Sequence, residues 1–289
     1  MRTRFLALLA LGGCAGVAFH EAVPGDALTF EGRLDRAPLG LSPADLEALP
    51  PARIRGTDPA TGREATFAGA AVAPLLEDGG LPLKRGADLL AFHGAGGRRA
   101  AVPVNAVRQM RPVLAAEEDG RTVGGPADGR LLAWPDVDSP GLATDPRLRW
   151  WWLRGVKRVE ALSWEEADGR ALRVPPGAGD DARRGADAFA TSCMTCHRIR
   201  SRGGTTGPEL TRFLAGAEPG RLPGLLAGHL SARSGQPGVP DLPAAAVGWI
   251  ASFLRAVALA DDGQPPGEEI REPEVRPPPP LPGPGPRRP

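Results

Sequence analysis

Near the C-terminal end of the chain, hydrophobic residues recur with the period of an α-helix. Residues three or four apart lie on one face of a helix, so the segment PAAAVGWIASFLRAVAL predicts a helix that packs against a core. The apolar residues on that face are Val247, Ile250, Phe253, Leu254 and Val257. The segment RRGADAFATSC predicts a second helix, on which Gly185, Ala188 and Phe189 share one face.

A different pattern covers most of residues 25–163, where short apolar runs alternate with turns rich in Gly, Pro and Asp. Runs of this kind between turn residues predict short strands. Ser42 precedes Pro43 and Asp45, which is typical of a helix N-cap and predicts a helix from Pro43 to Leu49. We therefore expect an α+β domain with mixed sheets in this part of the chain.

Residues 1–20 have the order of parts found in an export signal. The basic start MRTR precedes the apolar run FLALLALGG, which is too short to span a bilayer. The run ends in LGGC, which resembles the lipobox of bacterial lipoproteins and implies that Cys14 becomes a lipidated first residue. The alternative is ordinary secretory cleavage beyond Cys14. Both predict an extracytoplasmic protein, and the lipobox predicts a lipid-anchored lipoprotein of the periplasm or cell envelope.

Two further segments differ in composition from the rest of the chain. Residues 164–180 mix Gly, Pro and charged residues, which predicts a linker before a separate domain over residues 181–260. Residues 261–289 are rich in proline and cannot bury a core, so we expect a disordered, extended tail. Net charge adds little, because 35 Lys and Arg nearly balance 34 Asp and Glu. This balance argues against nucleic acid as a partner.

The segment TSCMTCH holds two of the three cysteines, Cys193 and Cys196, followed at once by His197. A thioredoxin-like redox pair would follow a strand, and the preceding sequence does not predict one. A structural zinc site needs four ligands, and no further cysteine lies nearby. Covalent haem c attachment needs two thiols two residues apart and an adjacent histidine for the iron, and this fits every residue.

The surrounding sequence resembles the class I cytochrome c family over residues 181–260. Gly207, Pro208 and Leu210 in GGTTGPEL match the family's loop after the haem motif, and Phe253 with Leu254 matches its aromatic-Leu pair. The resemblance implies an all-α cytochrome c domain with one haem c. It further implies that His197 is the proximal iron ligand and that the Pro208 carbonyl accepts a hydrogen bond from it.

The distal ligand of that family, a methionine before the last helix, is absent from this chain. Gln236 stands at the corresponding place in HLSARSGQPGVPDLP. The alternatives are the Gln236 amide oxygen, His229, Met110 supplied from the preceding domain, and a water-exposed or empty site. We expect His229 to be a surface or supporting residue. An oxygen donor favours ferric iron and would lower the reduction potential relative to methionine ligation.

The order of elements in residues 25–163 resembles the oxidoreductase molybdopterin-binding domain of the sulfite oxidase family. The first matching piece runs from Gly32 to Leu46, and the later ones are FAGAAVAPLLEDGG, VLAAEEDGRTV and WWWLRGVKRVEAL. The family ligates molybdenum through a cysteine, and no cysteine occurs between Ala15 and Ser192. We therefore expect a related fold without a molybdenum cofactor.

The altered turn HGAGGRR of this domain groups His93, Arg98 and Arg99. Such a group suggests a relic anion site, but charged side chains at a turn are more often solvated. We expect a solvated turn.

Taken as a whole, the sequence predicts an exported single-haem cytochrome that carries electrons and has no catalytic residues of its own. The first domain would then be a docking module for redox partner proteins. A haem-based sensor of small ligands is an alternative, favoured by the missing methionine. A molybdenum oxidoreductase with a fused haem acceptor is another, disfavoured by the missing cysteine.

Overall fold

The computed structural model describes residues 17–36, 38–77, 80–125, 128–143, 147–211, 220–232 and 242–261. The predictions for Cys14, for Gln236 and for the proline-rich tail after residue 261 lie outside these ranges. Within them the protein is mixed α+β with several sheets, which confirms the predicted mixed character. No helix in the described part of the chain is long and apolar enough to cross a membrane.

Six short strands form a first, mixed sheet in the order β1-β3-β2-β12-β6-β7. Their ranges are β1 (His20–Glu21), β2 (Leu28–Gly32), β3 (Leu39–Leu41), β6 (Leu89–His93), β7 (Arg99–Pro103) and β12 (Arg158–Leu162). The sheet is mixed because β12 pairs in parallel with β2, where Val159 lies opposite Phe30, and antiparallel with β6, where Val159 lies opposite Phe92. The last strand of this region thus lies in the middle of its first sheet.

A second sheet is antiparallel and has the order β11-β10-β8-β5-β4, with β9 paired to β8. Its strands are β4 (Pro51–Asp58), β5 (Arg63–Ala71), β8 (Val113–Glu118), β9 (Arg121–Thr122), β10 (Arg130–Ala133) and β11 (Leu153–Val156). The longest pair is β4 with β5, and its register runs from Pro51 opposite Ala70 to Asp58 opposite Arg63. The expected alternation of apolar runs and turns therefore folds into two sheets.

Short helices connect these strands, and the first is the one that the sequence predicts. Helix α1 runs over Pro43–Ala48, one residue shorter than expected. The Ser42 side chain accepts a hydrogen bond from the Asp45 backbone N–H (3.2 Å), and the Asp45 carboxylate accepts one from the Ser42 N–H (3.1 Å). The Ser42 hydroxyl also donates to the Asp45 carboxylate (2.6 Å), and this bond together with the one from the Ser42 N–H holds the pKa of Asp45 below its ordinary value. The other helices of this region are α2 (Val104–Met110), α3 (Pro140–Ala143) and α4 (Leu148–Trp151).

Residues of both sheets share one hydrophobic core. Its largest fully buried side chains are Trp134, Phe30, Phe67 and Phe92. The Trp134 indole N–H donates to the Trp151 carbonyl (3.0 Å), so this polar atom is satisfied within the core. Met110, at the end of α2, is 6% exposed and belongs to the same core.

Helices dominate the described residues after 163, which have a second hydrophobic core. The helices are α5 (Arg170–Leu172), α6 (Asp180–Ser192), α7 (Leu222–Ser231) and α8 (Ala244–Asp261). Helices α6 and α8 pack closely because Gly185 has no side chain, and a Cβ there would lie 1.9 Å from the Trp249 carbonyl oxygen. Phe189 and Phe253 meet at the same crossing, with ring centroids 5.7 Å apart. A hairpin of two-residue strands, β13 (Arg198–Ile199) and β14 (Arg202–Gly203), adds to the expected helices.

The predicted linker over residues 164–180 is folded in the structure. A π-helical turn over Glu165–Gly169 leads directly into α5, and Ala167, Asp168 and Ala171 are buried. Ala171 is part of the second core, and Trp164 packs against that core. Composition alone could not predict this, because Gly, Pro and charged residues outnumber the apolar residues of the segment.

Candidate functional site

The two cysteines and the histidine of the predicted attachment motif lie on a single turn that continues from α6. The Cys193 N–H donates to the Phe189 carbonyl (2.8 Å), and the His197 N–H donates to the Cys193 carbonyl (2.8 Å). Cys193 and Cys196 are free thiols. The helix thus brings both sulfur atoms and the imidazole to the same end of the second core.

The Cys193 thiol is strongly disfavoured as a thiolate. Burial, with a smaller contribution from the neighbouring Cys196, raises the pKa of Cys193 to about 12. A redox-active cysteine pair of the thioredoxin kind needs the opposite shift, since the attacking group is the thiolate. The half-buried Cys193 therefore lacks the lowered pKa that activates a cysteine for thiol-disulfide exchange.

One hydrogen bond orients the imidazole of His197. Its Nδ1 lies 3.0 Å from the Pro208 carbonyl oxygen. A carbonyl can only accept, so Nδ1 carries the proton and donates it, and Nε2 keeps its lone pair. This is the tautomer and orientation that a metal-binding histidine needs.

The loop before Pro208 packs directly against the imidazole ring. A Cβ on Gly207 would lie 2.3 Å from the ring carbon Cε1 of His197 and 2.5 Å from Nδ1, so only glycine fits there. The Gly207 N–H also donates to the Cys196 carbonyl (2.8 Å), which ties the loop back to the attachment turn. Gly203 and Gly204 approach the same turn at similarly short range. These contacts fix the position of the ring.

A second imidazole lies close to the first. Helix α7 places the ring of the exposed His229 so that its centroid is 5.7 Å from that of His197, with an angle of 69° between the ring planes. Met110 lies in the other core and is not brought to this site. Of the expected distal candidates that the structure describes, His229 is therefore the one near His197.

These residues fit covalent haem in the chemistry of their donor atoms. Two thiols on one turn can form thioethers, and an imidazole whose Nε2 carries a lone pair can bind iron. The loop with Pro208 adds no ligand atom, but it holds the imidazole in place. The sequence predicted Cys193, Cys196, His197 and Pro208 for these positions, and the structure brings all four together.

The turn that carries His93, Arg98 and Arg99 differs from the sequence-based expectation. The prediction that it is solvated is wrong for Arg99, which is 7% exposed and donates to the buried Asp168 (2.9 Å). The Arg99 N–H also donates to the Thr195 carbonyl inside the attachment motif (3.1 Å). The turn is docked on the motif and its cations are only partly hydrated.

Sequence reasoning missed this junction altogether. The Thr205 N–H donates to the Gly97 carbonyl (2.7 Å), and a Cβ on Gly97 would lie 2.1 Å from the Thr205 hydroxyl oxygen. The only local sign was the glycine pair Gly96–Gly97, which by itself predicts a turn and no particular partner.

No protein-family model matches this chain, and a search of curated proteins found no match either.

Proposed function

We propose that this chain is an exported c-type cytochrome with one covalent haem, and that its function is electron transfer. Residues 181–260 form its cytochrome c domain, and residues 25–163 form a domain that docks redox partner proteins. The observation that carries the proposal is the His197–Pro208 hydrogen bond on the same turn as Cys193 and Cys196, because it leaves Nε2 available for iron.

The residues of the chain each have a defined part in this proposal. Cys193 and Cys196 hold the porphyrin, Pro208 keeps the His197 ring in one orientation and tautomer, and Gly207 allows the loop to approach the ring. A haem held by these residues would supply reversible one-electron chemistry at its iron, with the electron taken from one redox partner and passed to another. The tight loop keeps the imidazole from rotating, which favours fast transfer because little rearrangement accompanies the change of charge.

We further propose His229 as the second axial ligand. A metal-imidazole bond is roughly 2 Å long, so two imidazoles on opposite sides of one metal have centroids about 6 Å apart. The 5.7 Å between the His197 and His229 rings agrees with this spacing. Using Met110 would instead remove a buried side chain from the first core, at a cost of about 2–5 kcal/mol.

An imidazole as sixth ligand changes the expected chemistry in two ways. It is a harder donor than a thioether, so the reduction potential should lie below that of methionine-ligated relatives. With His197 and His229 both bound to it, the iron would have no free position for a small ligand. The electron carrier is therefore favoured over the haem-based sensor.

The remaining parts of the proposal rest on the sequence. Cys14 carries a lipid that anchors the protein to a membrane of the cell envelope, and the first domain holds no molybdenum because its ligating cysteine is absent. Labelling with a fatty acid, compared between wild type and Cys14→Ser, tests the anchor. Elemental analysis of the purified protein tests the second point, and one molybdenum per chain would refute it.

A spectroelectrochemical titration tests the function itself. Protein made with a c-haem maturation system should show one transition that fits a single electron per chain. The Cys193→Ala, Cys196→Ala double variant should show no covalent haem. A wild-type protein without any reversible absorbance change would contradict the proposal.

A further inference from the structure

A cavity of about 340 Å³ lies between the turn after β6 and the hairpin that follows the attachment motif. Both the N-terminal region and the region after residue 163 contribute to its walls, and most of its charged lining residues are arginines. These are Arg98, Arg99, Arg158, Arg198 and Arg202. The volume is that of a site for a small molecule.

Positive charge in this cavity exceeds negative charge. Glu160 is the one carboxylate among the residues that line it. Arg99 forms an ion pair with Asp168 (2.9 Å), and Arg158 forms one with Glu31. The charges of Arg99 and Arg158 are therefore balanced by these two carboxylates.

Three of the lining arginines have no such partner. In the part of the chain that the structure describes, no carboxylate lies within ion-pair distance of Arg98, Arg198 or Arg202. The first comes from the N-terminal region and the other two from the hairpin beside His197. The cavity therefore collects uncompensated positive charge from both sides.

Two buried donors in the same lining lack acceptors. The Nε atoms of Arg98 and Arg198 are buried and have no hydrogen-bond partner among the described residues. A buried donor without an acceptor is unfavourable, and the cost is larger when the group is charged. An anion with several oxygen atoms supplies acceptors of the kind that these donors lack.

Glu160 is already engaged by its neighbours. Its carboxylate lies 3.3 Å from Nε2 of His93, while Nδ1 of His93 lies 2.9 Å from an NH2 group of Arg158. Arginine can only donate, so Nδ1 of His93 accepts and the proton sits on Nε2, which donates to Glu160. The carboxylate is thus held at the β12 side of the cavity and leaves the unpaired arginines available.

We propose that this cavity binds a small oxyanion with two negative charges, of the sulfate or phosphate class, either free or as the terminal group of a small ester. Guanidinium groups suit this ligand because their planar, multiple N–H donors match its oxygen atoms. Since Arg98 and Arg202 come from opposite sides of the cavity, the bound anion links the N-terminal region to the attachment motif. The proposal does not depend on the haem.

Isothermal titration calorimetry on the full chain tests it with sodium sulfate, sodium phosphate and glycerol phosphate. Sodium chloride keeps the ionic strength constant, so that general screening does not contribute. We expect saturable binding of one anion per chain and a rise in thermal midpoint with sulfate that chloride does not reproduce. Binding of glycerol phosphate as tight as that of phosphate would identify an ester site, and weaker binding a site for the free anion.

Three variants assign the binding to this cavity. Arg98→Gln and Arg202→Gln should each weaken sulfate binding by about tenfold or more, since each removes a charge-assisted contact. Arg202 is exposed, so its variant keeps the test valid even if Arg98→Gln does not fold. Arg53→Gln, on an exposed position of β4, removes the same charge outside the cavity and should bind as wild type. Absence of saturable binding, or wild-type affinity in Arg202→Gln, would overturn the proposal.

Discussion

The Nδ1 atom of His197 lies 3.0 Å from the carbonyl oxygen of Pro208, eleven residues further along the chain. This bond fixes the imidazole at the end of the turn that holds Cys193 and Cys196. The loop that provides the carbonyl is itself held to the turn by the Gly207 N–H. The position of His197 thus depends on the local fold of the loop as well as on the attachment turn.

The contact between Gly207 and the His197 ring gives a first prediction. In Gly207→Ala the added methyl group would overlap the ring, and both the backbone and the ring would have to move. We expect weaker orientation of His197, a shifted reduction potential and a loss of stability of about 1–3 kcal/mol. Potentiometry and thermal unfolding measure these effects. An unchanged potential together with an unchanged thermal midpoint would show that the ring is not held by this contact.

The crossing of α6 and α8 gives a matched pair of glycine variants. Alanine is a better helix former than glycine by up to about 1 kcal/mol, so Gly248→Ala, which meets open space, should be neutral or stabilising. Gly185→Ala places a methyl group 1.9 Å from the Trp249 carbonyl oxygen and should separate the two helices. We expect it to destabilise the protein by about 1–3 kcal/mol, the usual range for an overpacked core. Chemical unfolding of both variants tests the helix crossing, and equal stabilities would argue against it.

How far the sequence predicted the fold depends on the kind of signal. The capping residues Ser42 and Asp45 and the face of Phe253 predicted local elements correctly, because caps and helical periodicity act within a few residues. The parallel pairing of β12 with β2 joins strands more than a hundred residues apart, and no local pattern encodes it. The attachment turn was predictable because all its groups lie in five consecutive residues.

The junction between the two regions was not predictable, because it joins residues that lie far apart in the chain. Arg99 reads as a surface residue in the sequence, and its partner Asp168 lies in a segment whose composition suggests a linker. Only the fold brings the two together and buries both. His229 is a similar case, since the sequence does not predict how closely helix α7 brings it to the His197 ring.

Breaking the Arg99–Asp168 pair should be costly. Asp168→Asn would leave the Arg99 charge buried without its partner, which typically destabilises a protein by about 3–5 kcal/mol. Denaturant unfolding at neutral pH measures the loss. The control is Glu64→Gln, which breaks the exposed Arg55–Glu64 pair and should change stability little. A loss as small as that of the control would mean that Arg99 is hydrated in solution.

The proposed ligand His229 has a spectroscopic test. Wild-type ferrous protein should not bind carbon monoxide, and its ferric form should lack the far-red band of methionine-ligated haem. In His229→Ala the sixth position opens, so carbon monoxide should bind and the ferric spectrum should change. Met110→Leu, which keeps the first core filled, and Gln236→Ala should leave the wild-type spectrum intact. Carbon monoxide binding by the wild type would instead support the haem-based sensor.

Peptide mapping of the matured protein tests directly whether one haem is attached covalently at Cys193 and Cys196. Trypsin releases residues 185–198, GADAFATSCMTCHR, as one peptide. Mass spectrometry should find this peptide with one haem attached through both Cys193 and Cys196. The same peptide recovered without haem, its thiols free or joined in a disulfide, after expression with an active c-haem maturation system, would contradict it.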